Sequence, residues 1–254
     1  AAQASGFDAM SVFPIDFKGW IDSGLSGGQI RRKFQAAGVQ AAIVDPFVQW
    51  TPEFEIPSDY PAENVAFINH TEDEVFAMAA ALDATQINAV EGLGKLHERS
   101  ALIDALGGFA HRANQRGLKV GLEPMPISSI TSLSDGWDLV ETINADNLGL
   151  TFDTWHFWRS DPGHSVLRAI PADKSFDVLL DDAKTQLHGS LFDDLLWHRL
   201  FPGEGDFDLE TTIGVLQEMG AFNSVGHELF SNAMDALSAS KVAALSAAIL
   251  DQYI

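Results

Sequence analysis

Three carboxylates stand at the ends of apolar runs: Glu123 closes "KVGLE", Asp153 closes "LGLTFD" and Glu228 closes "SVGHE". If these runs are parallel strands of one barrel, their ends open on a single face, where barrel active sites lie. Three like charges converging there repel strongly unless a cation neutralises them. A divalent ion held by carboxylate and amide oxygens, with one or two open positions, is the simplest resolution, and that donor set suits Mn2+ or Mg2+, with Co2+ or Zn2+ as further options. The stretch "TQLHG" offers a fourth ligand. Gln186 and His188 lie two apart, so on a strand they share one face and either reaches the ion.

The elements that must position these groups follow a rhythm of short apolar run, polar loop and amphipathic helix. The runs cover 7–14, 39–47, 84–92, 118–126, 148–156, 184–192 and 223–230. Between them lie helix-length segments: "GGQIRRKFQAAG" ends at Gly38, "TEDEVFAMAAALDA" opens with a Thr71 to Glu74 capping box, and "SALIDALGGFAHRANQRG" ends at Gly117. Strands alternating with helices predict parallel pairing through helical crossovers, hence an α/β fold. Residues 1–254 read as one (β/α)8 TIM barrel domain with the first strand absent from the N-terminus, because seven strand-helix units are visible and the chain opens where a first helix ends. A doubly wound sheet is the alternative, but no Gly-rich phosphate loop follows the first strand.

Charge narrows the partners. Asp and Glu total 36 against 15 Lys and Arg, a net charge of -21, and the densest basic cluster is "IRRKF". Such a surface repels phosphate backbones, so no nucleic-acid partner is expected. No stretch approaches about 18 continuous apolar residues, so no membrane partner is expected either. The opening "AAQASGFDAM" has neither the basic head nor the apolar middle of a signal peptide, which makes the cytoplasm the default location. With no cysteine, disulfides and thiolate metal sites are excluded.

"GLEPMP", "TFDTWHFWR", "TQLHG", "FPGEGDFDL" and "GHELF" occur in an order and spacing that resembles the xylose-isomerase-like TIM barrels, in particular the hydroxypyruvate-isomerase-like branch. The resemblance covers nearly the whole chain. It implies that Glu123, Asp153 and Glu228 ligate the metal, with Gln186 in the seventh-strand position and His188 one step further, touching substrate. By the same resemblance His156 and Arg199 hold substrate oxygens, and Glu204 of "PGEG" buttresses the site. The family's endonuclease IV relatives carry extra histidines, but "WHRLFPGEG" has His198 alone, with Arg199 beside it.

The implied activity is isomerisation or epimerisation of a small sugar or hydroxy-keto acid. It starts with removal of a proton next to a carbonyl and passes through a metal-stabilised enediolate. Glu123 and Glu228, far apart around the barrel, divide proton removal and return. Family members are often dimers or tetramers, so a homo-oligomer is expected. Two alternatives stand beside this reading: a metal-dependent dehydratase sharing the first step, and a non-catalytic barrel acting as a binding or partner subunit. The aromatic residues Trp50, Trp155, Phe157, Trp158, Trp197 and Phe201 divide between pocket wall and plain core.

Overall fold

The computed structural model describes residues 1–58 and 60–254, for Glu63 the backbone alone. Seven strands form one sheet in chain order: β1 (Ala9–Val12), β2 (Gln40–Phe47), β3 (Gln86–Val90), β4 (Lys119–Glu123), β5 (Leu148–Asp153), β6 (Ser175–Leu179) and β7 (Val225–Gly226). Every neighbouring pair is parallel. Helical crossovers between consecutive neighbours curl such a sheet into the barrel arrangement that the alternating pattern predicts. β1 and β7 lie at the two ends of the strand order, and among the described residues they do not pair with each other.

The helices begin and end where local chemistry directs. Ser26, Thr71, Ser132 and Ser190 each open a helix with a complete capping box, satisfying backbone N–H groups that the first turn leaves without partners. Gly38 closes its helix in the left-handed region at φ 67°, where a side chain is strained.

Six of the seven expected runs coincide with strands, and the sixth does not. Residues 184–190 are exposed, and Ser190 caps the helix Leu191–Trp197. The strand is instead "SFDVL", Ser175–Leu179, whose last three residues are buried. Two polar, exposed residues and a glycine at φ 73° (Gly189) cannot make a buried parallel strand, whatever their alternation. Gln186 and His188 are therefore on an exposed loop, and neither occupies a strand position.

Alternate side chains of β3 to β5 divide the barrel into two environments. Ile87, Ala89, Val120, Leu122, Leu148, Leu150 and Phe152 pack outward with Leu106 and Phe109 of the helix Arg99–Asn114 in the main core. Burying each large apolar side chain contributes about 1.5–3 kcal/mol. The inward set is polar. Thr151 donates to Asn88 Oδ1 at 2.6 Å, and Asn88 Nδ2 donates to Glu123 Oε2 at 2.7 Å and Asp45 Oδ1 at 3.0 Å. Gly121 makes room for this network, since a Cβ there would lie 2.5 Å from Thr151 Oγ1. Among the described residues no helix is long and apolar enough to cross a membrane.

Candidate metal centre

Glu123 ends β4 and Asp153 ends β5, both on the polar inner face. Asp153 is also the N-cap of the helix Thr154–Arg159: its Oδ1 accepts the His156 backbone N–H at 2.8 Å. That cap swings the His156 ring toward β4, leaving Nε2 3.5 Å from Glu123 Oε1. Glu228, two residues past β7, completes the group. Glu123, Asp153, His156 and Glu228 each offer one ligand atom, all within 4.8 Å of one another.

Two polar atoms of this group lack partners. Glu123 Oε1 and His156 Nδ1 are buried without a hydrogen-bond partner. Orphaned polar atoms are rare in folded proteins and costly, unless a ligand satisfies them. Three carboxylates and an imidazole are also a donor set that divalent metals accept. The residues fit a divalent cation, and those four would hold it.

A fixed cation already sits at one edge. Arg199, 1% exposed, directs Nη1 to Asp153 Oδ2 at 2.8 Å, Asp181 Oδ2 at 2.6 Å and the Glu228 carbonyl at 3.1 Å. Its Nε donates to the Leu195 carbonyl, and the Trp155 and Phe230 rings cover its plane at 5.3 and 5.4 Å. The sequence reading makes Arg199 a substrate contact; the structure pairs it with Asp153 and Asp181.

Burial sets the electrostatics. It pushes Glu123 well above the ordinary carboxylate range, and the charges of Glu228, Asp45 and Asp153 add to the shift. Glu228 is raised well above its ordinary value by burial, although Arg199 opposes this. Burial lifts Asp181 to about 8 and Asp45 to about 7. The same desolvation lowers His156 to about 4, so its imidazole is neutral and able to donate a lone pair. Burial alone would lower Arg199, but Asp153 and Asp181 hold it above the ordinary guanidinium value.

Asp45, Asn88 and Asp181 were not singled out from sequence. Asp181 and Asp182 close the buried run "FDVLL", and an acidic pair at that point was the signal available. Glu204 is exposed and accepts from its own loop at Phe201 N, away from the cage. Trp50, Trp155, Phe157 and Phe201 are buried core, Trp158 packs partly buried against it, and Trp197 is exposed.

The model of the xylose isomerase-like TIM barrel family matches residues 1–252. The chain belongs to that family. Within it, the chain is 29% identical to inosose isomerase of Bacillus licheniformis over 134 residues, 52% of this chain and 47% of that protein. It is 27% identical to 3-dehydroshikimate dehydratase of Pseudomonas aeruginosa over 238 residues, 91% of this chain and 35% of that protein. The matched region thus spans about half or less of these curated relatives. Among solved structures, the IOLI protein with a bound zinc atom shares the fold at a TM-score of 0.80 and 22% identity, covering 100% of this chain and 91% of that one.

Proposed function

We propose that this chain is a metal-dependent isomerase or epimerase of a small polyhydroxylated carbonyl compound, working by proton transfer at the carbon beside the carbonyl. The observation that carries this is the cage itself: four residues each offer a ligand atom within 4.8 Å of the others, and Glu123 Oε1 and His156 Nδ1 are buried without hydrogen-bond partners. Glu123, Asp153, His156 and Glu228 hold the divalent ion in this reading. When bound, that ion supplies Lewis acidity to the carbonyl and neighbouring hydroxyl oxygens.

The chain's own residues do the rest. Glu123 ends β4 and Glu228 follows β7, with β5 and β6 between them, so they reach the cage from two directions. One takes the proton and the other returns it. Without a metal, burial holds both carboxyl groups above their ordinary values. Asn88 pins Glu123 through Oε2, leaving Oε1 to work. Arg199 fixes Asp153 and Asp181.

Solvent-deuterium exchange tests the reading. With Mn2+ bound, deuterium should enter a ketose beside its carbonyl without loss of water; no exchange with any member of a ketose panel would sink it. A second reading, a dehydratase, draws on the likeness to 3-dehydroshikimate dehydratase, which spans 91% of the chain. It shares the first proton transfer and predicts an absorbing enone product instead.

A further inference from the structure

The register of the sheet sets four places around the cage, and one of them holds no donor. β4 ends in Glu123, β5 ends in Asp153, and Glu228 follows β7. β6 lies between β5 and β7 and ends in Leu179. Asp153 is the register partner of Leu179, which in turn pairs with Gly226, two residues before Glu228.

Register partners on parallel neighbours point to the same face. Phe152 and its partner Val178 both lie in the main core, so Asp153 and Leu179, one residue on, both face inward. Packing agrees. Val178 and Leu180 belong to the main core, whereas Leu179, although buried, joins none of the apolar clusters of the described residues. Beside it, Gly226 offers no side chain, and a Cβ placed there would meet nothing within 4 Å. Arg199, bonded to Asp153 and Asp181, is a donor only and cannot ligate a cation. The β6 side of the cage therefore presents a leucine where its neighbours present carboxylates.

Donor type selects among divalent ions: oxygens suit Mn2+ and Mg2+, and each added imidazole shifts the balance toward Zn2+. The cage has three carboxylates and the single imidazole of His156. Resting on the reading of this cage as a metal centre, we infer that Leu179 determines its metal specificity. Leu179 fills a ligand position without donating, so the set stops at one imidazole and the ion keeps its β6 side for exchangeable oxygens. Histidine at 179 would supply a second nitrogen ligand. Asparagine, close to leucine in shape, would supply an oxygen.

The test is calorimetric titration of the whole chain with Mn2+ and with Zn2+, for variants that circular dichroism in EDTA shows folded. Leu179→His should tighten Zn2+ binding at least about tenfold and Mn2+ binding by no more than about threefold. Leu179→Asn should tighten Mn2+ binding at least about threefold. Leu179→Phe, with a ring and no donor, should tighten neither. Unchanged Zn2+ affinity in Leu179→His overturns the inference; where that variant does not fold, unchanged Mn2+ affinity in Leu179→Asn does so. Equal gains in Leu179→Phe also overturn it, because ligation is then not the cause. Deuterium exchange is read separately. The stated affinity changes without exchange break the isomerase reading alone, and exchange with affinities unmoved in Leu179→His breaks this inference alone. A wild-type chain that binds neither ion breaks both.

Discussion

Two carboxylates near the C-terminal end of the sheet are equally hidden and differently served. Asp182, 1% exposed, accepts four backbone N–H groups: Ala183 and Phe207 at Oδ1, Gly203 and Gly205 at Oδ2, all between 2.8 and 3.1 Å. It clamps the 200–207 loop to the end of β6, and Gly205 is obligatory there because a Cβ would lie 2.0 Å from Asp182 Oδ1. Glu123, 3% exposed, has one amide donor at Oε2 and nothing at Oε1. Burial is common to both, so burial alone does not set the two apart. The count of donors does: a carboxylate whose oxygens are filled by its own backbone is structural, and one left short is available to a ligand.

The largest expected effect falls on the underserved group. Glu123→Gln or Glu228→Gln should lower metal-dependent deuterium exchange by about 10²–10⁴-fold with the far-ultraviolet dichroism unchanged. Wild-type exchange rates in either variant would erase the functional half of the contrast.

Stability should respond in the opposite sense. Asp182→Ala leaves four N–H groups, one buried and three part-buried, without a partner and should cost about 2 kcal/mol or more in urea unfolding. Glu123→Gln, in EDTA, removes a charge facing Glu228 and keeps an oxygen for Asn88. It should leave stability unchanged or raise it by up to about 1 kcal/mol. Similar losses in the two variants would show that both carboxylates are structural.

The pH dependence is a smaller effect with a definite sign. Asp181 and Asp45, raised to about 8 and about 7, contribute stability that is present below the ordinary carboxylate pKa and lost as pH rises through those values. Glu123 and Glu228 act in the same direction. His156 acts oppositely: lowered to about 4, it contributes stability above its ordinary 6.5 that is lost as pH falls toward 4. In EDTA the melting temperature should therefore fall between about pH 6.5 and about pH 8.5, and saturating Mn2+ should abolish that fall. A flat profile without metal contradicts the electrostatics of the cage.

Smallest of all is Gln186→Ala. On an exposed loop, it should change Mn2+ affinity, read by calorimetry, by less than about twofold. A tenfold loss would return that side chain to the ligand set.

Much of this was legible in the amino-acid order, and the reasons are local. Capping signals and apolar runs are short-range features, so the helix starting after Thr71 and the strands carrying Glu123 and Asp153 could be read directly. The sixth strand was misplaced because "TQLHG" alternates as a strand does, whereas "SFDVL" carries an aspartate inside an apolar run. That Asp177 is held by Ser224, 47 residues away. Arg199 was found as a residue but not as the partner of Asp153 and Asp181, which lie 46 and 18 positions earlier. Asn88 escaped notice altogether, because its three partners come from β2, β4 and β5. Pairings of that reach depend on how the sheet curls, and no spacing within one run encodes them.

Asp153 terminates a strand, caps a helix and faces the cage with a single side chain. Inserting or deleting one residue within β5 would turn that side chain to the opposite face and cancel all three duties at once. A one-residue change of length within β5 is therefore far more disruptive than one in the exposed 184–190 loop.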